Sequence, residues 1–295
     1  MTTSSQDIAI VVLAAGKGTR MKSDLHKVLH PIAGRAMLEH LLDSLATLAP
    51  ARTVVVAGDR HEQLAKALHG RGIDIALQEP QLGTAHAALM ARDQLRDFSG
   101  HVLVCFGDCP MLKAGTVKRM VDKLQEGAAV VVLGFRPSDT LAYGRIIASA
   151  DGLVSKMVEH KDANHTERAV DLCNSGVLLG HSDNLWRLLQ AVGNDNAAGE
   201  FYLPDVATNA LAEGARVVVV ETAAAEVAGI NSRTELAAAE AQWQALRREE
   251  AMAEGASLRA PETVFFSYDT VLGHDVTIGP NVVFGPMVTS WPNTV

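Results

Sequence analysis

Short apolar runs alternate along the chain with stretches of helical periodicity. Residues 8–13, 53–57, 73–77, 102–106, 128–133 and 217–220 are aliphatic and rich in β-branched side chains, the pattern of strands buried on both faces. Between them Met37, Leu38, Leu41, Leu42, Leu45 and Leu48 trace one face of a helix, and residues 85–95 and 117–124 repeat that spacing. Strands alternating with helices predict an α/β, Rossmann-like fold with a mostly parallel sheet, whose ligands bind beyond the carboxyl ends of the strands. Residues 234–254, rich in Ala, Glu, Gln and Arg, read as a long connecting helix. After it, Leu272-Gly273, Ile278-Gly279 and Phe284-Gly285 recur every six residues, the spacing of the hexapeptide repeat of a left-handed parallel β-helix. Three hexapeptides amount to about one coil, which is short for such a core, and the closing S-W-P-N-T-V breaks the repeat. The expected division is an α/β domain at 1–232, a connecting helix at 233–256 and the start of a β-helix at 257–295.

The first strand runs into A-A-G-K-G-T-R-M-K, where two glycines meet several basic side chains. Gly16 and Gly18 permit close backbone approach, and Lys17, Arg20, Lys22 and Lys27 supply positive charge, a combination suited to phosphate oxygens. The string is not a Walker A loop, because Val11 stands where its first glycine belongs and Gly18 where its Ser or Thr belongs. Nor is it a dinucleotide fingerprint, because Met21 occupies the third glycine position.

Composition narrows the possibilities further. At 295 residues, 48% of them hydrophobic but only 4% aromatic, the chain can bury a large core that must be mainly aliphatic. A formal charge of −8 without a basic stripe argues against a nucleic-acid partner, so an anionic ligand has to be held by a local cluster such as Lys17 to Lys27. The opening residues lack the pattern of a secretory signal, and no apolar run reaches the roughly 18 residues of a membrane span; a cytoplasmic protein without membrane insertion is expected. Cys105, Cys109 and Cys173 are odd in number and lack zinc-site spacing, so they read as reduced, buried thiols. His30, His61, His160, His165 and His181 show no ligand spacing and read as surface or packing residues, and Trp186, Trp243 and Trp291 form no base-stacking stripe.

The string L-A-A-G-K-G-T-R-M followed by Lys27 resembles the L-x-x-G-x-G-T-R-[LM] signature of the sugar-1-phosphate nucleotidyltransferases. "QEPQLGTAHA", "FGDCPML", "AYGRII", "MVEHKDA", "CNSGVLL", "GEFYLPD" and "GINSRTEL" follow in the order seen in the bacterial N-acetylglucosamine-1-phosphate uridyltransferases, which also carry a hexapeptide-repeat acetyltransferase domain. The resemblance covers essentially the whole chain. His26 stands where that family has Pro before the lysine, which predicts a less rigid approach to Lys27, and Phe106 stands where it has Tyr in Y-G-D.

The resemblance implies transfer of a uridylyl group from UTP to N-acetylglucosamine 1-phosphate, a step toward cell-envelope precursors, with Mg²⁺ as cofactor. By position it assigns Leu13, Ala14, Ala15 and Gly16 to the nucleotide, Arg20 and Lys27 to its phosphates, and Asp108 and Asn231 to the metal. It places Gln78, Gly83 and Thr84 at the uracil edge, and Gly144, Glu159 and Asn174 at the sugar. Residue chemistry agrees with these assignments: a carboxylate after a strand suits a hard cation, and an amide offers a base edge both donor and acceptor. Blander readings exist beside them, namely a surface lysine for Lys27, a strand-end turn for Asp108, and helix N-caps for Thr84 and Asn231. Full-length relatives are trimeric; with one coil visible, this chain is expected to trimerise weakly or not at all and to lack acetyl transfer. Two alternatives remain at the level of sequence: the same chemistry on another sugar or base, as in a glucose-1-phosphate uridylyltransferase or a thymidylyltransferase, and a nucleotide-sugar-binding regulator without catalysis.

Overall fold

The protein is described by a computed structural model over residues 7–140, 143–196 and 198–290. It divides into two compact units, one formed by Met1–Lys17 with Leu41–Gly229 and the other by Gly18–His40 with Ile230–Val295.

The first unit is built on a sheet that begins with β1 (Ile8–Ala14), all seven of whose residues are buried. It continues through β2 (Arg52–Ala57), β3 (Asp74–Leu77), β4 (His101–Phe106), β5 (Val130–Phe135), β6 (Arg145–Ala148), β7 (Val154–Val158), β8 (Cys173–His181) and β9 (Val217–Thr222). The strand order is β9-β5-β8-β4-β1-β2-β3, with β6 pairing both β8 and β7. The predicted strands are all present and their mutual pairings are parallel. The sheet is therefore mostly parallel, with β8 lying antiparallel to both β4 and β5. Strands β6, β7 and β8 were not anticipated from the pattern. In β8 the polar Asn174-Ser175-Gly176 interrupts the apolar run, and the register against β5 shifts between Asn174 and Leu178.

Helix α1 (Met37–Ala46) lies where the periodicity predicts, α2 (His61–Ala67), which was not anticipated, follows β2, and α3 (Thr84–Met90) and α4 (Ala114–Gln125) again lie where the periodicity predicts. The pattern read over 85–95 resolves into α3 and a separate turn of 3₁₀ helix at Asp93–Leu95. α3 packs on the sheet through small residues: Ala85, Ala88 and Ala91 are fully buried beside Val54, Val56, Val102 and Val104. Further on, α5 (His165–Arg168), α6 (Ser182–Gln190), α7 (Asp205–Ala212) and α8 (Ala224–Val227) complete the unit. The three cysteines are free and buried, and burial pushes the Cys105 thiol up to about 12, so it stays protonated and apolar in character. Among the described residues, no helix is long and apolar enough to cross a membrane.

Parallel register brings three strand ends to one edge. Leu13 pairs with Phe106, and the Gly107 N–H donates to the Leu13 carbonyl at 2.9 Å. On the other side Ala14 pairs with Ala57 and Ala57 with Leu77, and the Gln78 N–H donates to the Ala57 carbonyl at 2.8 Å. Ala15, Asp108 and Gln78 accordingly leave the sheet from the same side.

The second unit gathers residues 18–40 around α9 (Arg233–Ala253). Local bonds hold residues 18–40 to the segments that follow residue 232. The Ala33 N–H donates to Glu240 Oε2 at 2.7 Å, the Tyr268 N–H to the Ala33 carbonyl at 2.9 Å, and Arg233 Nε to the Met21 carbonyl at 3.2 Å. Beyond α9 the chain winds back on itself: Ser257 and Leu258 pair in parallel with Thr277 and Ile278, Phe265 with Val283, and Val271 with Thr289. The partners lie eighteen to twenty residues apart. The paired segment starts at Ser257, ahead of the Leu272 at which the six-residue repeat becomes readable. It packs on α9, where Ala251, Ala256, Val264, Phe266 and Leu272 form a buried cluster. The buried Gln244 side chain accepts from the Phe266 N–H and donates to its carbonyl, both at 2.8 Å. S-W-P-N-T-V falls outside the described residues from Trp291 onward.

Candidate active site

Leu13 and Ala14 are still part of β1, so the exposed loop proper begins after the buried Ala15 and displays Gly16 and Lys17. Gly18 adopts φ 61°, and a Cβ there would lie 2.8 Å from Lys27 Cβ, so a left-handed turn and a tight contact both require glycine. The turn Thr19–Met21 follows, with Met21 buried as its anchor and Arg20 exposed.

In the second unit Lys27 is half-buried, and its ammonium donates to Asn231 Oδ1 at 3.0 Å. Two residues assigned separately by resemblance are thereby brought together. The N-cap reading of Asn231 is corrected: Ser232 caps α9, accepting from the Glu235 N–H at 3.2 Å, while the Asn231 N–H donates to Glu235 Oε2 at 2.6 Å. His26 is buried with φ −56° and ψ 137°, within the range a proline occupies, so the backbone before Lys27 has the shape that the family's Pro would impose.

At the edge of the first unit, Gln81 Nε2 donates to the Ala15 carbonyl at 2.7 Å and ties the residue 78–84 segment to the end of β1. Gln78 is buried, and its Nε2 lies 2.8 Å from the Gly83 carbonyl and 3.0 Å from His86 Nδ1. The Gln78 amide nitrogen is thus engaged inside the protein, donating to the Gly83 carbonyl. Gly83 has φ 119°, and a Cβ on it would sit 2.5 Å from the Phe201 carbonyl oxygen. Only glycine lets the segment and Phe201 exchange backbone bonds, Phe201 N–H to Leu82 O and Ala85 N–H to Phe201 O, each 2.9 Å. Gly83, not Thr84, is the N-cap of α3; the Thr84 hydroxyl instead accepts from the Leu203 N–H at 2.9 Å.

Beside these groups lies a cavity of about 630 Å³, which Thr84, Gly144, Glu159 and Asn174 line together with Phe106 and Tyr202. Gly144 leaves room for the Glu159 carboxylate, since a Cβ there would lie 3.1 Å from Glu159 Oε1. Burial, with Asp205 and Asp162 adding like charge, holds the Glu159 carboxyl above the usual carboxylate range. Asn174 Oδ1 accepts from the Gly176 N–H at 2.9 Å, which directs its amide hydrogens elsewhere. Glu159 as acceptor and Asn174 as donor give the cavity the complementary pair that vicinal hydroxyls need.

Asp108 stands half-buried two residues beyond β4, with the Cys109 thiol 3.8 Å from its carboxylate. Some participants were missed from sequence. Gln81 carries no chemical signature and acts only through the Ala15 carbonyl; Tyr143, Tyr202 and Asp205 sit in or beside quoted motifs without having been singled out. His160, read as a surface or packing residue, lines the cavity.

Residues 10–199 match the model of the MobA-like NTP transferase domain. The chain belongs to the MobA-like NTP transferase family. Among individual relatives it is similar to proteins named bifunctional protein GlmU. That of Rhizorhabdus wittichii is 58% identical over 274 residues, covering 92% of this chain and 61% of the relative. For Novosphingobium aromaticivorans the identity is 61% over 271 residues, with 91% and 60% covered. In Paramagnetospirillum magneticum it is 48% over 294 residues, with 99% and 62% covered. The chain thus spans about three fifths of the length of these relatives. The matched NTP transferase segment contains the basic loop, the residue 78–84 segment, Asp108 and all three residues assigned to the sugar.

Proposed function

We propose that this chain transfers the uridylyl group of UTP to N-acetylglucosamine 1-phosphate, forming UDP-N-acetylglucosamine and pyrophosphate. The observation that carries this reading is the convergence of Thr84, Gly144, Glu159 and Asn174 on one cavity beside the strand edge where Ala15, Gln78 and Asp108 emerge. A phosphate oxygen of the sugar phosphate attacks the α-phosphorus of UTP, the bond from that phosphorus to the β-phosphate bridging oxygen breaks, and pyrophosphate leaves. The attacking oxygen is already ionised, so no proton has to move. The barrier falls through alignment of two polyanions and neutralisation of the charge that builds on the equatorial oxygens.

In this reading Arg20 can engage two phosphate oxygens at once, while Lys27 acts as a point charge aimed by Asn231. The acceptor oxygen of Gln78 meets the N–H of the uracil edge. Asp108 and Asn231 are hard oxygen donors, the chemistry that Mg²⁺ selects, and one or two protein ligands suffice when phosphates and water complete the shell. When bound, Mg²⁺ would supply charge neutralisation at the phosphates.

Pyrophosphate release measured with UTP and dTTP against a panel of sugar 1-phosphates, with Mg²⁺ and with excess chelator, tests the reading. Turnover is expected with UTP and N-acetylglucosamine 1-phosphate and is expected to stop on chelation. Preference for dTTP or for glucose 1-phosphate would replace the substrate assignment, and no release from any pair would remove the enzymatic one.

A further inference from the structure

Behind the sugar cavity lies a second, much smaller chamber of about 20 Å³. Glu159, Gly144, Asn174 and Pro204 line both spaces, so the Glu159 side chain forms part of the wall between them; Asp205 and Thr208 line only the inner one. Asp205 is the first residue of α7, following Pro204. The inner chamber has the size of a single water molecule and the two to four polar partners that a buried water requires. Two carboxylates facing one such space raise each other's cost of ionisation, an effect that the Arg145 guanidinium lining the same chamber moderates.

We propose that Asp205 is a positioning residue of the sugar site, coupled to Glu159 across this chamber and holding its carboxylate against the larger cavity. The proposal rests on the uridylyltransferase reading for the identity of the sugar ligand, and on the chamber alone for the coupling. Asp205 never touches the sugar in this arrangement; it acts through Glu159.

The charged surroundings favour coupling. From α7 Glu159 meets Asp205, from its own loop Asp162 with His160 and Lys161, from β6 Arg145, and from the segment before α7 Tyr202. Arg145 is fully buried and donates to the Tyr143 carbonyl, with Cys173 Sγ at 3.8 Å. Asp162 and Lys161 are exposed and screened by water. The chamber is thus shared by two acids, Glu159 and the half-buried Asp205, and by the buried Arg145 guanidinium, whose bond is to the Tyr143 carbonyl. Burial first, then Asp162, holds the Asp205 carboxyl above its usual range as well.

Carboxyl ¹³C NMR titration of the ligand-free full chain, wild type and Asp205→Asn, reads the coupling without any need for activity. The Glu159 midpoint is expected to move to lower pH in Asp205→Asn, because the opposing charge is gone and an amide can donate to the carboxylate. Asp205→Ala serves if Asp205→Asn does not fold: the Glu159 midpoint is expected to fall there too, because the opposing charge is likewise gone. In parallel, kcat/KM for the sugar phosphate is expected to fall in Asp205→Asn, and its acid limb against pH to shift to lower pH. Substrate phosphate also titrates near pH 6, roughly, but does so identically with both enzymes. An unmoved Glu159 midpoint, or a loss of kcat/KM that is the same at every pH, overturns the proposal. Absence of pyrophosphate release by the wild type with the NMR coupling intact would instead remove the uridylyltransferase reading and leave the coupling standing.

Discussion

Replacing Gly144 with alanine isolates the contact between the sugar cavity and Glu159. The added Cβ would stand 3.1 Å from Glu159 Oε1 and 3.3 Å from both its Cδ and Oε2, closer than ordinary van der Waals separation. Gly144 does not occupy the left-handed region, so the backbone accepts alanine, and the substitution should if anything add about 0.4–1 kcal/mol by restricting the unfolded chain. The carboxylate has to retreat by a few tenths of an ångström, and the inner chamber behind it gives it space. A hydrogen bond to a charged acceptor contributes about 1.5–3 kcal/mol, and misplacing the acceptor by that much forfeits about half of it.

Gly144→Ala should therefore raise KM for N-acetylglucosamine 1-phosphate so that kcat/KM falls about tenfold, with KM for UTP unchanged and the melting temperature unchanged or slightly higher. Initial rates of pyrophosphate release with each substrate varied in turn, together with a thermal melt, measure all of these quantities. An unaltered sugar KM would refute the argument that Gly144 makes room for a working Glu159. A melt lowered by several degrees would refute the claim that the strain stays local.

Gly83→Ala, by contrast, meets backbone at 2.5 Å and forces alanine to φ 119°, so it should cost about 1–3 kcal/mol in conformation alone and lower the melting temperature by several degrees; an unchanged melt would show that the contact with Phe201 yields easily. Lys27→Ala should lower turnover by about 10², its lost bond to Asn231 costing about 1 kcal/mol of stability besides; an effect seen only in the melt would return Lys27 to the surface-lysine reading. Asp108→Asn should keep the fold and lose most turnover at modest Mg²⁺ by weakening the metal site, and near-normal turnover there would take Asp108 out of it. The raised Glu159 carboxyl binds its proton more tightly in the folded chain than in the unfolded one, so its contribution to stability is full at low pH and is lost as pH rises through the folded value. Glu159→Gln should accordingly gain in melting temperature relative to wild type on going from pH 4 to pH 8, and a parallel pair of curves would contradict that sign.

Strands such as β1 and β4 were legible because burial on both faces demands uninterrupted aliphatic runs, and nothing in their neighbours competes with that signal. β8 was not, for a reason connected with the site. Its Asn174-Ser175-Gly176 sequence looks like a turn, yet the segment is a central strand whose polar residues are used: Asn174 opens on the cavity, and the Ser175 hydroxyl donates to the Leu133 carbonyl at 2.7 Å. A strand that carries ligand contacts departs from the plain apolar pattern where it carries them. The segment that begins at Ser257 was hidden too: it packs on α9 and pairs with Thr277 and Ile278, while the six-residue repeat is readable only from Leu272.

The site residues divide along a similar line. Lys27, Asp108, Glu159 and Asn174 of the proposed site were named because the motifs of the resembling family fall on them, and their side chains have chemistry that suits those roles. Gln81, Asp205 and the role of His26 were not, since each acts on a neighbour: one holds a carbonyl, one shares a chamber, one reproduces a backbone angle. Such residues are visible only when the distance between sequence-remote groups is known, as with Gln81 and Ala15, sixty-six positions apart and 2.7 Å in space. Their chemistry is generic while their placement is specific. A substitution at Gln81 would accordingly leave every recognisable motif intact and still loosen the end of β1 on which the nucleotide assignment depends.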